Sequence, residues 1–342
     1  MRSWKRLITG GTIAIVLSVA GLTILVRATG GSALLPTLAR LDLRTVGLVV
    51  GLMILYWGTD ALRMMALSAA LGGDLKALNS MHVSLVGAAA ANLTPFNSGG
   101  EALQAYLLSR RGHTIGESTA IVAVKTFLNA VARLCLGLAI PAWLMSIDRW
   151  QMPRAIDIAM RVGLVLYTCG LLIALCLILR PQAINAMLGP VIHSRLVSRF
   201  VRPETADRLV VWVRRTTQEF RDGLAVFRRR GKGAMFMAAV WSLAGWLILI
   251  SIPALLLRAF GVHVPFIETL GIAIVFYFAS AYAPTPGSSG VAEIGFAALF
   301  STVVPLSLLG PFVAVWRLLT YYLTVAVGGI LMAAGVLIRG RI

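Results

Sequence analysis

The chain has 342 residues, 58% of them hydrophobic and 13% charged, with a net charge of +18. A soluble globular chain carries about 25% charged residues, so a single water-soluble core is excluded and lipid must solvate the excess apolar surface. The positive charge does not point to nucleic acid, because the basic residues stand mostly between apolar runs with no binding motif; they suit orientation in a bilayer and contact with anionic headgroups.

The first apolar run, Leu7–Val26, follows Arg2, Lys5 and Arg6. It is longer than the roughly 7–15 apolar residues of a signal peptide and reads as a retained span. Val46–Leu67 is the second span and contains Asp60 and Arg63, spaced to pair with each other or to face a cavity. Met81–Leu108 is apolar but interrupted. Ala120–Met145 spans again, and the four-residue spacing of Lys125, Asn129 and Arg133 sets them on one helical face. Ala159–Leu179 is the next candidate span. The segment 180–233 is basic, with Leu209, Val213, Phe220, Leu224 and Phe227 at helical spacing. It reads as an amphipathic helix on the cytoplasmic side, lying either on the leaflet or on the protein's own cytoplasmic face. Ala234–Leu257 spans, Ile267–Phe300 is interrupted, and Pro311–Ile338 spans while carrying Arg317 and Tyr321.

Arg339 and Arg341 make the C-terminus basic like the N-terminus, so both termini are expected in the cytoplasm, with the chain in the cytoplasmic (inner) membrane. Each interrupted run must then leave by the side it entered. The expected fold is a single all-α integral membrane domain over 1–342, with about six full spans and two re-entrant, Pro/Gly-broken helical hairpins in an inverted-repeat arrangement. Cys135, Cys169 and Cys176 read as small buried hydrophobes, and the four scattered histidines form no metal motif. No metal and no cofactor is expected.

The two interruptions match. One runs Thr94, Pro95, Phe96, Asn97, Ser98, Gly99, Gly100, Glu101, and the other runs Thr285, Pro286, Gly287, Ser288, Ser289, Gly290, Val291, Ala292, Glu293. Proline removes a backbone donor and glycine permits close backbone approach. Irregular backbone at membrane depth survives only where it is buried in protein or lines a watery cavity. Paired broken segments are the best sequence pointer to a transport site; the plainer reading is a pair of surface turns. Helices restarting near Ser98 and Ser288 would aim their N-termini at an anion. A charge at mid-span costs about 2.5–3.5 kcal/mol on insertion scales, so Lys125, Arg133 and Arg317 should face the interior, holding Glu101 and Glu293. Gly287-Ser288-Ser289-Gly290 also matches the GxSG of rhomboid proteases, but no histidine follows His263 to serve as base, so a catalytic residue is not expected there.

On these residues the chain resembles the flippase-like family that includes the transmembrane part of lysylphosphatidylglycerol synthase. The resemblance rests on Asn92–Arg111, on the P-x-P-G-x-x-G-x-x-E run Pro284–Glu293, and on Arg317 in the last helix. Asn97 and Gln104 stand where many relatives carry arginine, and Ser288 replaces a second glycine. The chain is also similar to hopanoid-biosynthesis-associated members. The resemblance implies transfer of a polar or anionic lipid between leaflets: a phospholipid, a polyprenyl phosphate or a hopanoid lipid. Substrate contacts are expected from Asn92, Pro95, Gly99, Gly100, Glu101, Lys125, Asn129, Arg133, Pro286, Gly287, Ser288, Gly290, Glu293, Arg317 and Tyr321. The chain ends at Ile342 just after its last span, so the aminoacyl-transferase domain of the synthases is not expected. No GxxxxGK[ST] motif is present, which leaves a gradient, proton linkage through Glu101 or Glu293, or equilibration as the drive. The alternatives are a non-catalytic subunit presenting lipid to a partner biosynthetic enzyme, and an intramembrane lipid-modifying enzyme.

Overall fold

The computed structural model describes residues 42–148, 154–180, 203–281 and 283–339, together with Thr23. The expected first span, Leu7–Val26, lies outside the described residues. Every regular element among the described residues is helical.

Helix α1 covers Leu43–Ala70, capped by Asp42, whose carboxylate accepts from the Arg44 N–H at 3.1 Å. Helix α2, Ala77–Asn92, is followed by a short turn at Pro95–Asn97 and then by α3, Gly99–Ser109. Helix α4, Ile115–Ser146, opens on a reciprocal Thr114–Glu117 capping box. Next come α5, Arg154–Leu179, α6, Pro203–Arg229, and α7, Lys232–Ala259. The second broken unit is α8, Phe266–Ser280, a turn at Pro286–Ser288, and α9, Val291–Phe300. The chain closes with α10, Leu306–Arg317, a π-helical turn at Leu318–Tyr322, and α11, Leu323–Arg339.

Five helical stretches are long and apolar enough to cross a membrane: Leu43–Ala70, Ile115–Ser146, Met160–Leu179, Lys232–Ala259 and Leu306–Ala334. They correspond to five of the expected spans. The first broken unit restarts at Gly99 and the second at Val291, three residues beyond the expected Ser288. The extra residues Ser289 and Gly290 are spent in the turn, where Gly290 takes φ +83°.

Helices α1 and α7 pack along their lengths, α2 packs against α3 and α11, and α8 packs against α7 and α9. One apolar cluster joins α1, α7, α8, α9 and α10, and a second joins α1, α2, α3, α4 and α6. Helix α6 lies on the protein itself: Phe220 and Phe227 are buried, and Glu219 accepts from the Gly116 N–H at 3.2 Å. Its arginines 214, 215, 221, 228 and 229 remain exposed. The loop before α4 is tied to the end of α1 by a 2.7 Å contact between Ser68 Oγ and His113 Nε2. Burial pushes the His113 pKa below its ordinary 6.5, against a smaller upward pull from Glu117. The three cysteines are exposed rather than buried; on membrane helices such positions face lipid, which accepts a small apolar thiol as readily as a core does.

Candidate functional site

The two turns have the same backbone. Phe96 and Asn97 take φ of 54° and 56°, and Gly287 and Ser288 take φ of 57° and 55°. Both close with the same pair of hydrogen bonds: Asn97 N–H to Thr94 O at 3.2 Å and Ser98 N–H to Pro95 O at 3.2 Å, against 3.0 and 3.1 Å for the corresponding bonds at Ser288 and Ser289. The left-handed conformation is unfavourable for Phe96, Asn97 and Ser288, at about 1–3 kcal/mol for such a residue. Thr-Pro precedes it in both turns.

The turns touch. The Tyr321 hydroxyl donates to Asn92 O at 3.3 Å, and a Cβ added to Gly287 would meet the Tyr321 ring and lie 2.8 Å from Asn92 O. Only glycine fits that contact at positive φ. Gly287→Ala is therefore expected to lower stability by about 2–3 kcal/mol, read as a lower unfolding midpoint of the purified protein in detergent; an unchanged midpoint would show that the turns do not meet here.

Beneath the turns lies a polar cavity of about 410 Å³. On one side Lys125 Nζ donates to both Asp60 oxygens at 3.0 and 3.2 Å and to Gln104 Oε1 at 2.8 Å. Arg63 holds the same Asp60 at 2.7 Å, together with Asn129 Oδ1 at 2.6 Å. On the other side Arg317 Nε donates to Glu293 Oε1 at 2.7 Å and Arg317 Nη2 donates to Gly287 O at 3.1 Å. Glu293 is fully buried, and its second oxygen accepts from the Gly290 N–H at 2.6 Å. The N-cap N–H of α9 is thus bonded to the helix's own carboxylate. In the first unit the Gly99 N–H is held by Thr94 Oγ1 at 2.9 Å.

Stacked rings fix this arrangement. Phe296 of α9 lies 3.8 Å from Trp316 of α10 at 7° and also stacks on Phe300 and Phe312. The stack sets Glu293 and Arg317 opposite each other. The π-helical turn that follows Arg317 carries Tyr321 into the same cavity; such insertions are frequent at functional sites.

Arg133 differs from the other cations. Its guanidinium carbon sits 4.3 Å from the Tyr167 ring, 5.2 Å from Trp246 and 5.7 Å from Phe278, and its Nη1 donates to Tyr277 O at 3.3 Å. No carboxylate pairs with it among the described residues, and its Nε is buried without a partner.

Of the residues marked in the sequence, Asn92, Lys125, Asn129, Arg133, Gly287, Ser288, Arg317 and Tyr321 line this cavity. Glu293 stands behind Arg317. Pro95, Gly99, Gly100, Pro286 and Gly290 shape the turns without lining the cavity. Glu101 is the clear departure. It is exposed, accepts from Thr126 Oγ1 at 3.2 Å, and lines a separate apolar groove. The expected pairing with Lys125, Arg133 or Arg317 is replaced, because Lys125 is taken by Asp60 and Arg317 by Glu293. The two carboxylates hold the same position, third in α3 and third in α9, but the second turn has one more residue between its proline and its helix. The two helices therefore leave their turns differently, and the matching carboxylates meet different partners.

Gln104, noted in the sequence only as standing in place of an arginine, lines the cavity too, as do Tyr277 and Trp246, which the sequence does not single out. Each is a polar or amphipathic side chain inside an apolar helix, and buried donors need partners: the Trp246 Nε1–H donates to Asn129 O at 3.0 Å. Among the described residues no histidine lines the cavity, and Ser289 is 1% exposed. Among the described residues no cluster of His, Cys, Asp and Glu could hold a metal ion.

Long apolar helices surrounding a charged, aromatic-lined cavity between two broken helices define a multi-pass membrane protein with a polar interior site. The model of the lysylphosphatidylglycerol synthase TM region family matches residues 11–328, and the chain belongs to that family. It is also 25% identical over 321 residues to a UPF0104 membrane protein of Archaeoglobus fulgidus, covering 93% of this chain and 94% of the relative.

Proposed function

We propose that this protein transfers a lipid with an anionic headgroup between the leaflets of the bilayer, and that the central cavity holds the headgroup. The carrying observation is the charge balance of the cavity. Four cations, Arg63, Lys125, Arg133 and Arg317, stand around it against two carboxylates, Asp60 and Glu293. Buried charge is stable only when it is paired. Arg133 is held by ring faces and one backbone carbonyl, with no carboxylate among the described residues, and a phosphate is the partner its planar donors suit. The cavity volume of about 410 Å³ suits a polar headgroup and leaves the acyl chains outside.

The equal turn backbones support reading the two broken units as re-entrant hairpins of an inverted repeat, as in transporters whose sites lie at the midplane. The exposed arginines of α6 favour a cytoplasmic position for that face in the inner membrane. The family's link to phospholipid synthesis agrees with a lipid ligand. The hopanoid lipid is a narrower choice that no feature of the cavity favours.

The test is leaflet exchange in phosphatidylcholine vesicles containing the purified protein and trace fluorescent phosphatidylglycerol. A membrane-impermeant quencher should reach nearly all of the fluorophore, against about half in protein-free vesicles. A chemically altered lipid in the extract would instead favour an intramembrane enzyme. Unaltered lipid without exchange would favour a subunit that presents lipid to a partner enzyme.

A further inference from the structure

Two apolar grooves flank α5, one at each end. The larger, about 740 Å³, runs between the C-terminal half of α5, α3, α4 and α6; the smaller, about 230 Å³, runs between the N-terminal half of α5, α8 and α9. Each groove therefore borders the short arm of one broken unit. On α5 the groove-lining residues are Met160 and Gly163 at one end and Leu171, Ala174 and Ile178 at the other, with the more exposed Leu177 on the rim of the larger groove. With Tyr167 between them they recur at three- and four-residue steps, which makes one continuous stripe along the helix. From Met160 to Ile178 the stripe rises about 27 Å at 1.5 Å per residue, close to the roughly 30 Å hydrocarbon thickness. The stripe residues are half-buried, whereas Leu166, Leu172 and Ile173 on the other faces are 54%, 55% and 61% exposed.

Tyr167 divides the two grooves and joins them to the polar cavity. Its hydroxyl donates to Ala130 O, in the wall of the larger groove, at 3.4 Å. Its ring packs edge-on at 5.1 Å against Phe278, in the wall of the smaller groove. Its face carries Arg133, which lines the polar cavity.

We infer that the α5 stripe is the track for the acyl chains of the transferred lipid, with one groove for each leaflet and Tyr167 as the closure between them. This rests on the lipid-transfer reading above and names the path it requires. The chains stay in apolar surroundings along α5 while the headgroup passes through the cavity. The closure is linked to the headgroup, because the guanidinium that stacks on Tyr167 is the cation without a carboxylate. A phosphate drawing Arg133 toward it would remove the cation–π contact that holds Tyr167.

The test uses the full chain in phosphatidylcholine vesicles with phosphatidylglycerol labelled on one acyl chain. Ala174→Trp fills the larger groove, Gly163→Trp fills the smaller, where a Cβ meets nothing within 4 Å, and Ile173→Trp is the control on the exposed face. Either filled groove should slow exchange at least tenfold, while Ile173→Trp stays within twofold of the unsubstituted protein. Binding of water-soluble dihexanoyl phosphatidylglycerol, followed by tryptophan quenching, should persist in both filled variants, which separates a blocked track from a misfolded chain. Ala174→Leu and Gly163→Leu should give intermediate slowing. If both filled variants exchange as fast as Ile173→Trp, or if both lose the short-chain lipid together with exchange, the track is wrong. If the unsubstituted protein exchanges nothing, the transfer reading itself fails.

Discussion

Glu293→Gln and Arg317→Gln should each destabilise the protein by about 3–5 kcal/mol, because each leaves one charge of a buried pair without its partner. The pair is fully enclosed: Glu293 is 0% exposed and Arg317 4%. Each member also holds backbone in the second turn, Glu293 through the Gly290 N–H and Arg317 through Gly287 O. A single loss therefore releases the turn as well as exposing a charge. The double substitution Glu293→Leu with Arg317→Met removes both charges and should cost less than the sum of the two singles. It should not restore full stability, since the cap at Gly290 is worth about 1 kcal/mol by itself. Thermal unfolding of the purified variants in one detergent reads all three. Single variants matching the unsubstituted protein would show that the ion pair does not hold the turn.

Asp60→Asn should have a comparable effect with a distinguishing feature. Asp60 is bound by Lys125 at 3.0 Å and by Arg63 at 2.7 Å, so its removal leaves two buried cations facing each other. The expected loss is again about 3–5 kcal/mol. The same change makes the cavity more positive by one charge. Added phosphatidylglycerol should then raise the unfolding midpoint of Asp60→Asn more than that of the unsubstituted protein, as a ligand binding only the folded state must, and phosphatidylcholine should not. Equal stabilisation by the two lipids would mean that the cavity does not read headgroup charge.

The spans and breaks were legible in the sequence because lipid imposes them. A helix must cover the hydrocarbon with about 20 apolar residues, so Val46–Leu67 and Ala234–Leu257 fall inside α1 and α7. Proline and glycine punctuate α2–α3 and α8–α9 for a local backbone reason, which the repeated positive φ at Phe96–Asn97 and Gly287–Ser288 expresses. The stripe Lys125, Asn129, Arg133 was legible as helical spacing, and all three residues line the cavity.

What escaped depends on register and on partners distant in sequence. The second turn is one residue longer; Glu293 meets Arg317 while Glu101, at the same helical position, lines a groove. Asp60 and Arg63 pair locally as their spacing allows, but the shared partner Lys125 is 65 residues away, which no local pattern reveals. The α5 stripe was hidden for the opposite reason. Beyond Arg161 its helix carries no charge on any face, and only packing against α4 and α8 distinguishes one face.

The central claim is tested most directly by leaflet exchange of fluorescent phosphatidylglycerol with Arg133→Gln and Arg133→Lys in vesicles. Arg133 pairs with no carboxylate among the described residues, so its loss strands no buried anion, and the Gln variant, which gives up the ring contacts and the bond to Tyr277 O, should stay folded. Its exchange rate should fall at least tenfold, a loss of about 1.4 kcal/mol or more from the barrier, with the Lys variant between the two because a point charge replaces a planar fork. An Arg133→Gln protein that stays folded and exchanges phosphatidylglycerol at the unsubstituted rate would contradict the account.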